Sequence, residues 1–241
     1  MEALKVALDY ADGASPHQVR IRDARELNPP AEIDREGFEL REYPTAVSDF
    51  HDADQIRRVY YPEMAALLKE VTGAARVVPF EHDVRRNTDR RKVNVRQPVR
   101  IVHDDYTEVS APGRAQLYLP DEAEELLQHR YAVINVWRPL NHPVYDSPLA
   151  VCDARTLKTV DVIPTTSGVK HEVYLFNFSP RHRWFYFSTM RPEEVLILKC
   201  FDSINDGRAR LTAHTAFDDP TASPDAPPRE SIEVRALVLF D

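Results

Sequence analysis

The sequence predicts a mainly β fold with flanking helices, a closed or two-layered β structure that carries its helices on one side. Three observations lead there. Six short β-branched or aromatic runs, "YAVINVW", "SPLAVCDA", "EVYLFNF", "WFYFST", "EVLILKCF" and "SIEVRALVLF", crowd the second half of the chain between turn residues. Strands at that density stack or close on themselves. One stretch, "DADQIRRVYYPEMAALLKEVTG", repeats Ile56, Val59, Tyr60, Leu67, Leu68 and Val71 at helical spacing instead. Finally, 241 residues at 43% hydrophobic content supply one sizeable core, so a single domain over 1–241 is expected.

Taken in order, the first fifty residues are polar and read as an N-terminal arm, extended over "LNPPAEIDREGFELREYP" with a short hairpin inside it. The helix that follows has Asp52 or Asp54 as N-cap and Gly73 as stop, and Pro62 should kink or split it. Next, "HDVRRNTDRRKVNVRQPVR" gathers Arg85, Arg86, Arg90, Arg91, Lys92, Arg96 and Arg100. A solvated hairpin balanced by the acidic remainder is preferred there over a positive rim that recruits an anion. "PDEAEELLQHR" reads as a second short helix, and residues 95–241 hold the β core. "DDPTASPDAPP", with four prolines within 220–228, must be a loop. That loop and "TTSGVKHE" are candidate loops at a barrel mouth, where substrate selection would reside.

Composition narrows the function. The formal net charge is −8, against the positive field that nucleic acid requires. The opening "MEALKVALDYADG" lacks a basic region followed by an apolar one, and no apolar run approaches about 18 residues. A soluble, cytoplasmic protein is expected, with no nucleic-acid or membrane partner and homo-oligomerisation left open. Cys152 and Cys200 are too few for a disulfide framework and lack a zinc spacing. Cys200, in "VLILKCF", reads as a buried, inert thiol.

The chemistry starts at "VRIVHDDYTEVSA". In a strand His103 and Asp105 share one face and Asp104 takes the other. Such a pair joined by one distant histidine makes a two-histidine, one-carboxylate facial triad, which binds Fe(II) and leaves three positions open. A His-x-Asp pair alone arises about once by chance in a chain of this composition, so the downstream residues decide. "RLTAHTAFDD" supplies His214, and the terminal strand follows it. On that strand Arg229, Ser231, Glu233 and Arg235 share one face, and Ile232, Val234, Ala236 and Val238 the other. If the polar face points inward, Arg229 is a buried cation that needs an anion. Glu233 or a neighbouring acid would serve. So would a carboxylate co-substrate such as 2-oxoglutarate, gripped by the guanidinium fork with the Ser231 hydroxyl beside it. The aromatics of "SPRHRWFYFSTMRPEE" read as alternating core packing in preference to a base-stacking platform. His171 and His182 read as hydrogen-bonding residues, not ligands.

Together "VHDDYT", "INVWRPL", "LAVCDARTL", "FSPRHRWFYFSTMRPEEVLILKCFDS", "AHTAFDDP" and "PRESIEVRAL" resemble the hydroxylase/desaturase AsaB-like family of natural-product pathways, which includes CmcJ- and NvfI-type oxygenases. The resemblance spans residues 40–241. It implies a double-stranded β-helix (jelly-roll) core that uses Fe(II), 2-oxoglutarate and O2 to hydroxylate, desaturate or otherwise oxidise a small molecule. Carried over by motif, His103, Asp105 and His214 would be the iron ligands, and Arg229 with Ser231 the co-substrate clamp. The Arg-x5-Arg spacing also resembles the AlkB-like branch of the superfamily and makes Arg235 a secondary clamp residue. Asn135, Arg138 and Tyr118 are candidates to complete the pocket. Asp104, Thr107 and Thr215 are candidates to orient the imidazoles. Two alternatives stay open: a metal-dependent hydrolase or lyase, which needs neither Arg229 nor Ser231 nor O2, and a non-catalytic partner subunit of an oxygenase.

Overall fold

A computed structural model describes residues 2–14, 16–87, 96–166, 168 and 170–241. Among them, thirteen strands form two sheets. The eight-stranded sheet runs β1 (Leu4–Leu8), β2 (His17–Asp23), β10 (Trp184–Tyr186), β7 (Leu149–Cys152), β12 (His214–Ala216), β5 (His103–Asp104), β9 (Val173–Phe176), β8 (Val162–Thr165). The five-stranded sheet runs β3 (Phe38–Glu42), β11 (Glu194–Asp202), β6 (Tyr131–Pro139), β13 (Glu230–Leu239), β4 (Arg76–Arg86). Each of the six strand signals in the sequence falls on a strand.

Residue parity explains how the five-stranded sheet serves two cores. On β6, Val133 and Trp137 join Leu196, Leu149, Val151 and Phe185 in a cluster contributed by both sheets. Their neighbours Ala132, Ile134 and Val136, with Ile232, Val234, Ala236 and Val238 of β13, meet Met64, Leu67 and Leu68 instead. Each such aliphatic side chain taken fully out of water contributes roughly 1.5–3 kcal/mol. The three come from the predicted helix, whose path is α1 (Ala53–Gln55), a π-helical turn at Ile56–Tyr60 and α2 (Tyr61–Thr72). Asp52 is the N-cap, accepting from the backbone N–H of Asp54 and Gln55. Pro62 does not split the helix. It stands at the start of α2, directly after the π turn, which takes up the irregularity left by its missing N–H.

Two expectations change. Residues 1–50 are not a free arm: β1 and β2 form an antiparallel hairpin whose β2 joins β10 in parallel, and β3 pairs with β11. Their polar composition reflects half-exposed edge strands, with β2 alternating exposed and buried. The expected hairpin within 27–44 is instead the single strand β3. The second correction is β4, which is no solvated hairpin arm. It pairs along its whole length with β13, and its acidic and basic residues Glu81, Asp83 and Arg85 turn towards the space between the sheets. Arg90, Arg91 and Lys92 lie outside the described residues, as do Ser167 and Val169 of "TTSGVKHE". A helix that the sequence reading missed, α3 (Ser110–Tyr118), contains Pro112 and Gly113. It is started by Thr107, whose hydroxyl accepts from the N–H of Val109 and Ser110, with Pro112 in the first turn where no N–H is needed. α4 (Ala123–Leu126) follows, within the predicted second helix. No helix among the described residues is long and apolar enough to cross a membrane.

Candidate active site

The antiparallel pairing of β5 with β12 sets His103 directly opposite His214, with ring centroids 4.4 Å apart. Asp105 follows just past the end of β5, and its Oδ1 stands 3.7 Å from His103 Nε2. One ligand atom from each of the three lies within 4.8 Å of the others, so 111 residues of separation collapse into a space the size of one ion's coordination shell.

Each imidazole is oriented by backbone. His103 Nδ1 donates to the Ile101 carbonyl at 2.8 Å, and His214 Nδ1 to the Thr212 carbonyl at 3.0 Å. A carbonyl can only accept, so both rings carry their proton on Nδ1 and present the Nε2 lone pair inward. Burial and the neighbouring His214 push the His103 pKa down to about 4, so this ring is neutral near pH 7, as a metal ligand must be. The three side chains proposed from sequence for this orienting role do other things. Thr107 donates to Glu172 and Thr215 to backbone carbonyls. Asp104 is wholly buried, with ligand atoms of Asp104, Cys200 and His214 within 4.8 Å of one another, but among the described residues neither of its oxygens has a hydrogen-bond partner, so it does not orient the ring.

Asp105 is held just as firmly. Its Oδ2 accepts from Asn135 Nδ2 at 2.7 Å and from Arg235 Nε at 3.1 Å, which leaves Oδ1 turned to the histidines. Asn135 and Arg235 are themselves cross-strand partners on β6 and β13. Burial opposes ionisation of Asp105, but Arg235, the two imidazoles and the Asn135 bond outweigh it and hold the carboxyl well below its usual range. Arg235 also donates to Asp83 at 3.1 Å and Glu233 at 2.7 Å. Three carboxylates therefore occupy its three nitrogens. Its guanidinium is thus committed to the acids around it, Asp105 among them, in contrast to the clamp expected from sequence.

Arg229 differs in kind. It is 2% exposed, and among the described residues its one side-chain hydrogen bond goes from Nη1 to the Ser147 carbonyl at 2.6 Å, while Nε has no partner. Its guanidinium lies over Trp137, 5.4 Å from the ring centroid. Glu233, the acid that would have neutralised it, is taken by Arg235. Burial, with Arg85 and Arg100 nearby, pushes its pKa down to about 9. Ser147, which anchors it, is a non-glycine residue at φ 48°, a strained conformation held by bonds from Asn87 and Arg100 to its hydroxyl. His103, Asp105, His214 and Arg229 all line one cavity of about 600 Å³, walled elsewhere by Val99, Ile101, Leu149, Leu175 and others.

The remaining candidates fall elsewhere. Ser231 is buried and does not line the cavity. Arg138 is three positions from Asn135 on the same strand, so it points to the other face. There it donates to Tyr60 and to the carbonyls of Pro192 and Tyr43, a satisfied cation beside the helix. Tyr118 does not line the cavity but donates to Glu81, which does, at 2.7 Å. His171 lines the cavity and hydrogen-bonds the Asp105 carbonyl, stacked on Tyr106, but is not among the three clustered ligands. His182 bonds Tyr10 and Asp161. The sequence reading missed Glu81 and Asp83, whose alternation with Arg85 in "EHDVR" is a strand signal with the polar residues on the inner face.

The comparisons with known proteins agree with this geometry. Residues 6–239 match the family model described as an oxidoreductase/YMDC permease-like domain. The Fe(II)/2-oxoglutarate-dependent dioxygenase nvfI of Aspergillus novofumigatus is 37% identical over 242 aligned positions, covering 93% of this chain and 84% of that protein. The hydroxylase/desaturase efuI of Hormonema carpetanum is 33% identical, covering 92% and 83%. The solved structure of the iron and alpha-ketoglutarate-dependent endoperoxidase NvfI superposes with a TM-score of 0.86 at 34% identity, over 99% of this chain and 97% of that one. The mainly β fold is thus the jelly roll expected, and the chain belongs to the family of hydroxylase/desaturase and Fe(II)/2-oxoglutarate-dependent oxygenases that includes these proteins.

Proposed function

We propose that this protein is a non-haem iron, 2-oxoglutarate-dependent dioxygenase, one oxygenase domain that hydroxylates, desaturates or similarly oxidises a small molecule of natural-product biosynthesis. The observation that carries the reading is Arg229, a buried cation that hydrogen-bonds no carboxylate among the described residues and opens onto the cavity of the His103, Asp105 and His214 cluster. A hydrolase or lyase leaves that arginine without a task, as does a partner subunit.

The residues fit the iron and co-substrate the family uses. Nε2 of His103, Oδ1 of Asp105 and Nε2 of His214 would hold the ion. When bound, the ion would let O2 act as the oxidant, two of its four oxidising equivalents converting 2-oxoglutarate to succinate and CO2 and the other two oxidising the substrate. The chain does the rest. Ile101 and Thr212 fix both ring tautomers, and Asn135 with Arg235 keeps Asp105 ionised and aimed. Arg229 grips the far carboxylate of the keto acid, and with Ser231 off the cavity wall that grip falls to the guanidinium alone. Val99, Ile101, Leu149 and Leu175 keep water from the reacting centre. Glu81, His82, Arg96 and Lys170 line the remaining space and would meet the substrate.

The test is oxygen-dependent succinate formation by the Fe(II)-loaded protein, measured with His103→Ala and Asp105→Ala beside it. Both variants should lose it. Full succinate production by either would overturn the ligand assignment, and none from the wild type with any candidate substrate would overturn the activity.

A further inference from the structure

We infer that O2 reaches the metal cavity by its own route, through an apolar void behind Trp137 that leads from a separate surface cleft; this rests on the oxygenase reading above. The void is small, about 10 Å³, and lies between the sheets against Met190 and Leu196. It shares Trp137 and Leu149 with the metal cavity, and Val144 and Pro148 with a cleft of about 520 Å³ beside Tyr145 and Pro227. The void therefore sits between the two, sharing wall residues with each.

Size and chemistry suit O2. The void holds about one small molecule, and a water there needs two to four polar partners that this apolar and aromatic lining does not provide. O2 needs none. The inner wall also lies in the right place: Leu149 is the cross-strand partner of Ala216, and the next inward-facing pair along the strands is Val151 with His214. A second entrance matters because co-substrate and substrate fill the main cavity before O2 is needed. A gas arriving by the same mouth would have to pass both.

The chain offers its own probes. Met190 touches the void, and Met64, 0% exposed, sits in the other core beneath α2. With methionine methyl groups labelled in 13C, metal-free full-length protein is equilibrated with O2 at several atmospheres, and the methyl relaxation rates are compared with those under N2. The paramagnetic enhancement at Met190 should exceed that at Met64 several-fold. In Val144→Phe, which fills the outer end, it should fall towards the Met64 value, and the KM for O2 should rise several-fold while metal affinity holds. Equal enhancement at the two methionines in the wild type overturns the proposal, as does an unchanged KM for O2 in a Val144→Phe protein whose Met190 enhancement has been abolished. Because the relaxation measurement needs no turnover, the two readings fail separately. Succinate formation with equal enhancements removes the conduit alone, whereas strong Met190 enhancement without succinate formation supports the path and removes the oxygenase.

Discussion

Replacing Arg229 by methionine separates a residue kept for a ligand from one kept for the fold. In the free protein its guanidinium meets one carbonyl and one aromatic face, and burial with Arg85 and Arg100 outweighs the more weakly felt acids Glu233 and Asp146. Depression of the guanidinium pKa to about 9 corresponds to roughly 5 kcal/mol against the charged form, at about 1.4 kcal/mol per pH unit. That is an upper bound, because lost packing and the Ser147 bond offset part of it. A carboxylate at contact distance returns about 4 kcal/mol at an effective dielectric of 20, near a thousandfold in affinity. Arg229→Met, similar in length and apolar, should therefore weaken 2-oxoglutarate binding to the metal-loaded protein by ~100- to 1,000-fold. Stability of the free protein should hold or rise by about 1–3 kcal/mol. Arg229→Lys, which keeps the charge and loses the fork, should fall between. Anaerobic titration calorimetry gives the first quantity and urea denaturation the second. Unchanged affinity for the keto acid would refute the reasoning, and so would a free variant destabilised by more than about 2 kcal/mol, since the arginine would then be structural.

Arg235→Met should do the reverse, stranding Asp83, Glu233 and Asp105 together. A loss of about 3–5 kcal/mol in urea denaturation and a ~10- to 100-fold drop in Mn(II) affinity are expected, and wild-type values for both would contradict its role. Arg138→Met should lower stability by about 2 kcal/mol or more and leave metal and 2-oxoglutarate affinities unchanged in calorimetry, because it lies across the sheet from the cavity. Gly37→Ala should weaken metal binding from a distance. Gly37 sits at φ 89°, and a Cβ there would run into the hydroxyl of Thr212, whose carbonyl orients His214; metal titration and thermal unfolding read the two effects. Neither thiol should react with a disulfide reagent in the native state, since burial pushes Cys152 up to about 12 and Cys200 well above its ordinary value. A thiol raised on folding keeps stability intact below its unfolded pKa of about 9 and loses about 1.4 kcal/mol per pH unit above it, so urea midpoints should fall from pH 9 upwards.

How much of this was legible depends on whether a signal is local. The two faces of β13 were, because alternation along one strand fixes them, and His103 with Asp105 against Asp104 followed from the same parity. Parity also forbids Asn135 and Arg138 from sharing a pocket, and grouping them by motif overlooked it. β4 was illegible because its charges point inward, which reverses the usual pattern of a strand facing a core. The partners of the imidazoles leave no mark in the sequence at all, since backbone carbonyls hold them and any residue supplies one. That Glu233 serves Arg235 and not Arg229 depends on side-chain geometry between two acids and two arginines, which spacing alone does not resolve.

β6 and β13 carry Asn135 and Arg235 on one side and the seat of α2 on the other, with Arg229 just before β13, and each strand is flanked by a strand on both edges. Their amides should exchange with solvent only on global opening, so the chemical centre shares the stability of the whole domain. Selection for new substrates then has little freedom on these two strands. It can act far more cheaply on the connections at the rim, where a changed side chain alters what is admitted without loosening what reacts.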